Sequence, residues 1–329
     1  MRKILCSALC AACLLAAGCK ADEPLQSGSH PEVRMSSWVV TWDADKGWKE
    51  YGKTRKEWND LSYFAAFFDE KGSLHVPENF RKADMGEGHF YLTFVNDVHP
   101  SQGKAIEKDT AVLQKALADE SSRRQHVKEI LALAEEAGVD GIEIDYERIG
   151  KDKALAEKFA SFTKTLFLES AAAHKKVRII LEPSMPMDLP YSRGPEYVVM
   201  AYNLYGLHSG PGPKADGPFI QKTLQKMKSL PEKRALAFSK GGCLWKDAGL
   251  FGLQKGKAQF ITEEKARELA EIHGQKPERD GASAALHFSY KENGSSYDVW
   301  YADQETLAAW ITLAAREGIP SVSLWRLGG

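Results

Sequence analysis

Three carboxylates set the chemical problem. In the stretch VDGIEIDYE, residues 139–147, Glu143, Asp145 and Glu147 recur at every second position, with Ile142, Ile144 and Tyr146 between them. At the two-residue period of a β-strand, Gly141 and the three acids share one face, with neighbouring acids about 7 Å apart along it, and the apolar residues share the other. Two readings are open: an amphipathic strand with a solvated acidic face, or a stack of acids that a reaction uses. If the strand is interior, unpaired charges cost several kcal/mol each. Crowding would also raise the pKa of one acid and keep it protonated near neutrality, as a general acid requires. Such acids titrate as a coupled set.

The elements around this stretch decide where it sits. Short apolar runs predict strands at Ser36–Trp42, Leu61–Phe68, His89–Val95, Lys176–Leu181, Tyr197–Tyr202, Arg234–Phe238 and Ser321–Trp325, with the acidic stretch fourth in order. Helical spacing predicts helices over Lys46–Asn59, Ile106–Ala118, Ser122–Ala137, Lys153–His174, Phe219–Ser229 and Asp303–Glu317. Gly138 is suited to end the third of these. Residues 243–301 break the rhythm with a helix at Glu263–His273 and a hairpin turning at Asn293-Gly294. Eight strands mostly separated by helices predict a (β/α)8 TIM barrel over 35–329, with a small α+β insertion at 243–301 between strands seven and eight. A doubly wound sheet is the alternative, but no Gly-x-Gly-x-x-Gly follows the first strand. In a barrel the three acids point inward, and Glu147 lies nearest the C-terminal end, where barrel enzymes place their sites.

Composition narrows the partners. The chain has 329 residues, 43% hydrophobic and 27% charged, with a net charge of −1, so neither nucleic acid nor an anionic surface is implied. Arg2 and Lys3 precede an apolar run over 4–17 that is too short to span a bilayer and ends in Leu15-Ala16-Ala17-Gly18-Cys19. This resembles a bacterial lipobox, with Ala16 where Leu is usual. It implies a signal peptide over 1–18, lipidation of Cys19, and a flexible tether over 19–34. The expectation is a monomer in the cell envelope, at the outer membrane or surface, touching the membrane only through its lipid. Cys243 is then the one remaining side-chain thiol, so no intramolecular disulfide forms. The nine His residues show no metal-ligand spacing. No metal and no cofactor are expected.

The acidic stretch resembles the Asp-x-x-Asp-x-Asp-x-Glu signature of family 18 glycoside hydrolases, the chitinases and related N-acetylglucosaminidases. Met200-Ala201-Tyr202-Asn203 is similar to that family's Met-x-Tyr-Asp at strand six, and Leu324-Trp325-Arg326 to its strand-eight end, where the Trp floors the sugar site. Gly210–Pro213 and Val299–Tyr301 are closer to the bacterial cell-wall and spore-cortex glucosaminidases. The resemblance implies a retaining, substrate-assisted mechanism on an N-acetylglucosamine-containing glycan: peptidoglycan, chitin-type oligomers or the N-glycan core. Glu147 would be the acid/base, Asp145 the orienter of the acetamido group, and Tyr202 a donor to its carbonyl. Two departures stand out: Glu143 for the middle Asp, and Asn203 for the Asp after the Tyr. Trp325, Met200, Asn203, Asn96 and Glu182 are the candidate substrate contacts, with Trp42 and Tyr205 further out. A catalytically silent lectin on the same barrel, and a two-carboxylate glycosidase using Glu182, are the competing readings.

Overall fold

Side chains of alternating character close the sheet on itself. In a computed structural model, which describes residues 33–78, 80–83, 85–247 and 257–329, eight parallel strands pair in chain order. They are β1 (Arg34–Val40), β2 (Asp60–Phe68), β3 (His89–Val98), β4 (Gly141–Asp145), β5 (Lys176–Leu181), β6 (Glu196–Met200), β7 (Arg234–Ser239) and β8 (Ser321–Trp325). β1 pairs with both β2 and β8, so the sheet is a closed barrel of the expected (β/α)8 kind. Residues 1–32, which hold the expected signal, Cys19 and most of the tether, lie outside the described residues.

The helices are α1 (Ala44–Thr54), α2 (Thr110–Ala116), α3 (Glu120–Glu136), α4 (Lys153–Ala172), α5 (Gly217–Met227), α6 (Glu263–Ile272) and α7 (Gln304–Arg316). β2 reaches β3 through a short strand, Leu74–His75, and β5 reaches β6 through the loop 182–195; neither connection holds a helix among the described residues. Ile142, Ile144 and Tyr146 face outward, into an apolar shell shared with Ile130, Phe159 and Phe162. The inward face of β4 begins at Gly141, where an added Cβ would fall 2.3 Å from the Tyr91 ring. Only glycine fits there, so the acid stack starts at the next inward position, Glu143, two residues later.

Among the sequence boundaries that move, two lie beside the barrel mouth. β1 ends at Val40, and Thr41–Asp43 form a 3-10 turn that carries Trp42 onto the barrel mouth. The helix expected from Ile106 starts at Thr110. Ile106 instead exchanges backbone hydrogen bonds of 2.9 Å with Val98, and Asp109 caps α2 by accepting from the Ala111 N–H.

The insertion runs from Gly241 to Ala302. Its five strands lie in the order 257–261, 241–246, 295–302, 286–292, 278–279, with α6 against them. Asn293 and Gly294 turn the hairpin with φ of 49° and 77°, as the pair predicts. Arg279 joins this unit to α7 by donating to Asp303 at 2.8 and 3.1 Å, while Asp303 also caps α7 by accepting from the Thr306 N–H at 2.9 Å. Burial pushes the Asp303 carboxyl up, but the bonds from Arg279 and Thr306 outweigh it and bring it down to about 2. Asp303→Ala is therefore expected to lower stability by about 2 kcal/mol at pH 7. A depressed carboxyl contributes above its ordinary pKa of 3.8 and loses that contribution as pH falls toward about 2. Urea unfolding of both proteins at pH 7 and pH 3 should show the gap narrowing at the lower pH.

Candidate active site

Every second residue of β4 and its extension points into the barrel. Glu143, Asp145 and Glu147 are all buried, at 0%, 8% and 8% exposure, so no solvated acidic face exists. Glu143 is the deepest and the most fully bonded. Its Oε1 accepts from Trp38 Nε1 at 2.5 Å and Thr93 Oγ1 at 2.7 Å; its Oε2 accepts from Ser62 Oγ at 3.0 Å and Arg178 NH1 at 2.8 Å.

Arg178 is the hub beneath the site. It sits beside Glu143 in the β4–β5 register and is 1% exposed. It donates to Glu196 Oε2 at 2.9 Å, Ser62 Oγ at 3.3 Å, Ser36 Oγ at 3.2 Å and Ser323 Oγ at 2.7 Å, and its guanidinium lies 5.4 Å from the Tyr91 ring. Among the described residues these partners come from every other barrel strand except β7, which turns the small Ala235 and Ala237 inward. Glu143 is one methylene longer than the Asp of the family pattern because it reaches for this cation. With four donors already on its two oxygens, it has no free position for sharing a proton with Asp145.

Above the hub the site opens into a cavity of about 510 Å³ lined by Asp145, Glu147, Met200, Tyr202, Asn203 and Trp325, with Trp42, Asp97 and Lys108 also on its wall. Glu147 Oε2 lies 2.5 Å from Lys108 Nζ. Burial pushes the Glu147 carboxyl up, and Lys108 pulls against it without cancelling the rise. Burial, then the charge of Glu147, hold the Asp145 carboxyl well above the usual carboxylate range. Asp145 Oδ1 is buried with no hydrogen-bond partner among the described residues. Burial, then Asp145, likewise push the Tyr202 phenol well up, so it remains a donor at neutral pH.

The backbone around the acid is held in sparsely populated conformations. Lys108 and Arg148 have φ of 57° and 61°, a cost of roughly 1–3 kcal/mol each for residues with a side chain. Asp97 holds the first by accepting from the Lys108 N–H at 2.7 Å, and Glu182 the second by accepting from the Arg148 N–H at 2.6 Å. Asn96 fixes Glu147 itself: its Oδ1 accepts from the Glu147 N–H at 2.9 Å, and its Nδ2 donates to the Glu147 carbonyl at 3.2 Å.

Of the expected sugar contacts, Asn96 is buried and bonded to backbone, and Glu182 accepts from a turn N–H; neither is among the residues lining the cavity. Met200, Tyr202, Asn203 and Trp325 do line it, as does Trp42. Tyr205 instead lies against Gly212, where a Cβ would fall 2.5 Å from its ring. The floor is a nest of rings: Trp325 lies 5.6 Å from Trp38, 5.3 Å from Phe64 and 6.3 Å from Trp42. Lys108, Arg178 and Phe260 were not singled out from sequence. Arg178 carried a usable signal, a charge at an inward position of an otherwise apolar strand. Lys108 carried none, since Glu107-Lys108-Asp109 reads as an exposed helix start.

Lys108→Met removes the cation that opposes the rise in Glu147. The alkaline limb of kcat/KM, where the protonated acid is lost, is expected to move to higher pH. A pH–rate profile checks this, and an unmoved limb would show that Lys108 does not tune the acid.

A second cavity of about 620 Å³ opens at the opposite, N-terminal end of the strands, lined by Asp60, His89 and Glu196 among others. Its Asp60 is bonded to Arg34 and His89 and its Glu196 to Arg178, so the acids there are already paired.

Acids stacked along one barrel strand toward an aromatic-floored mouth define the class of protein, a barrel glycoside hydrolase. Residues 107–329 match the family described as Glycosyl hydrolases family 18, and the chain belongs to that family. The cortical fragment-lytic enzyme of Bacillus anthracis is 25% identical over 285 residues, which cover 82% of this chain and 64% of that enzyme. The chain thus spans just under two thirds of that relative. The crystal structure of the Bacillus cereus spore cortex-lytic enzyme SleL superposes with a TM-score of 0.76 at 20% identity, covering 92% of this chain and 72% of the other. A chitinase from Chromobacterium violaceum ATCC 12472 superposes with a TM-score of 0.74 at 16% identity, covering 90% and 94%. At these identities the two structures speak to the fold alone.

Proposed function

We propose that the barrel is a retaining hydrolase that cleaves β-1,4 bonds after N-acetylglucosamine, with the substrate's own acetamido group as nucleophile. The observation that carries this reading is Asp145 Oδ1. A buried polar atom without a partner costs about 1–3 kcal/mol, and at a cavity wall it calls for a ligand group to complete it. An acetamido N–H is the right donor, and Tyr202 across the same cavity is the right donor for the acetamido carbonyl. So held, the carbonyl oxygen attacks the anomeric carbon. The bond to the leaving oxygen breaks, and Glu147 gives that oxygen its proton. Water then attacks the anomeric carbon of the oxazolinium ion, the bond from that carbon to the acetamido oxygen breaks and restores the acetamido group, the carboxylate of Glu147 takes the water's proton, and the β configuration is restored.

The relatives' names support a substrate class. Cortical fragment-lytic and spore cortex-lytic enzymes support a bacterial cell-wall glycan ahead of chitin. The lipobox-like stretch supports acylation of Cys19 and a place in the cell envelope, with the barrel acting as a tethered monomer.

A fluorogenic N,N′-diacetylchitobioside tests the reading against its cellobioside counterpart, which carries hydroxyls where the acetamido groups stand. Release from the first and not the second is expected. Equal release from both would sink substrate assistance and point to two protein carboxylates. Binding of N-acetylglucosamine oligomers or cell-wall glycan with no cleavage would make the protein a lectin.

A further inference from the structure

A third cavity, of about 320 Å³, adjoins the active site and shares Trp42, Tyr202, Asn203, Phe260 and Trp325 with it. Its own wall carries three cations, Lys214, Lys240 and Arg326, and, among the described residues, no Asp or Glu side chain. Two of the cations are answered from outside the cavity: Lys240 is bonded to Glu50, and Arg326 to Asp43 at 3.1 Å. Lys214 has no carboxylate partner among the described residues. Its ammonium lies 4.7 Å from the Phe260 ring, and Phe260 hangs from the edge strand of the insertion, 61% exposed, over both cavities. Ser239, Thr262 and Asn203 add neutral polar groups to the same wall.

We infer that this side cavity is an anion subsite, in which Lys214 receives the carboxylate of a substituted or acidic sugar while the neighbouring N-acetylhexosamine lies over Trp325. The inference rests on the glycosidase reading and deepens it by naming the charge of the sugar next door. Three arguments support it. A half-buried ammonium with only a ring beside it forgoes the charge-assisted bond that a carboxylate supplies. Burial pushes the Lys214 amine down, with only Cys243 opposing, so an arriving anion meets a cation that gains from being paired. The two cavities share the rings of Trp42, Tyr202, Phe260 and Trp325, so a chain seated on those rings carries a substituent toward the wall that holds Lys214. A neutral chitin chain leaves the lysine unanswered. A lactyl ether on an amino sugar, or a uronic acid alternating with one, would answer it.

The test uses the full chain and Lys214→Met, with kcat/KM measured on four tetrasaccharides. These are chitotetraose, the alternating N-acetylglucosamine and N-acetylmuramic acid oligomer, the same oligomer with its lactyl carboxyls amidated, and the alternating N-acetylglucosamine and glucuronic acid oligomer. The free acid is expected to exceed its amide, and that ratio to fall roughly 10-fold or more in Lys214→Met. Which acid oligomer gains identifies the source of the carboxylate. A ratio that Lys214→Met leaves unchanged overturns the inference. If the protein cleaves none of the four, the hydrolase reading fails first, and calorimetric affinities of the same oligomers decide the subsite. Tighter binding of the free acid than of its amide, lost in Lys214→Met, still supports it, and equal affinities overturn it.

Discussion

Glu147→Gln is expected to lower kcat on an N-acetylglucosamine oligomer by about 10²–10⁴-fold, the usual range for losing a positioned general acid–base. The amide fits the same space, and Asn96 still clamps the backbone at residue 147. KM should therefore change little, and the loss should fall on kcat. The size of the loss must depend on the leaving group. A sugar alkoxide needs the proton in order to leave, and a phenolate needs it far less. The deficit for bond cleavage should accordingly be smaller on the fluorogenic chitobioside than on chitotetraose. Single-turnover kinetics on both substrates checks this. An undiminished Glu147→Gln enzyme would remove Glu147 from the chemistry and with it the assignment of the whole acid stack.

The largest effect on stability is expected at Arg178, well below the reacting atoms. Arg178→Met leaves Glu143 and Glu196 without their cation inside the barrel. Breaking a buried ion pair by removing one partner costs about 3–5 kcal/mol, a large share of the 5–15 kcal/mol that holds a typical domain together. Urea unfolding of the purified variant measures it. The double variant Arg178→Met, Glu143→Gln should recover part of the loss, because the stranded charge disappears with its partner. A loss below about 1 kcal/mol in the single variant would mean that water or a neighbouring group replaces the guanidinium, and the hub would not be the structural centre described above.

Much of the barrel was legible because period-two alternation and helical spacing report which face is buried, and β4 reports it unambiguously. Ile142, Ile144 and Tyr146 had to face helices, so the acids had to point together into the barrel. What stayed hidden depends on contacts between distant strands. Glu143 reads as an out-of-pattern acid until Arg178 stands beside it in register. Asn96 and Glu182 read as sugar contacts because they end strands at the mouth, yet their side chains are taken by the backbone of residues 147 and 148. Lys108 escapes the sequence because its position rests on a left-handed backbone and a short bridge between Val98 and Ile106, neither of which has a local signature.

The serine pair beside Arg178 carries a consequence for biogenesis. Ser36 and Ser323 are hydrogen-bonded to each other at 2.7 Å across 287 residues of chain, and both accept from the same guanidinium. A nascent chain presents Arg178 to its early partners long before residue 323 is synthesised. Until then the cation has Ser36, Ser62, Glu143 and Glu196 but lacks its nearest hydroxyl, and β1 has no neighbour on its β8 side. Such long sequence separation makes the last step slow and all-or-none. The domain should therefore stay sensitive to protease until its final strand has been made, and then become resistant in a single step, with no stable half-barrel along the way.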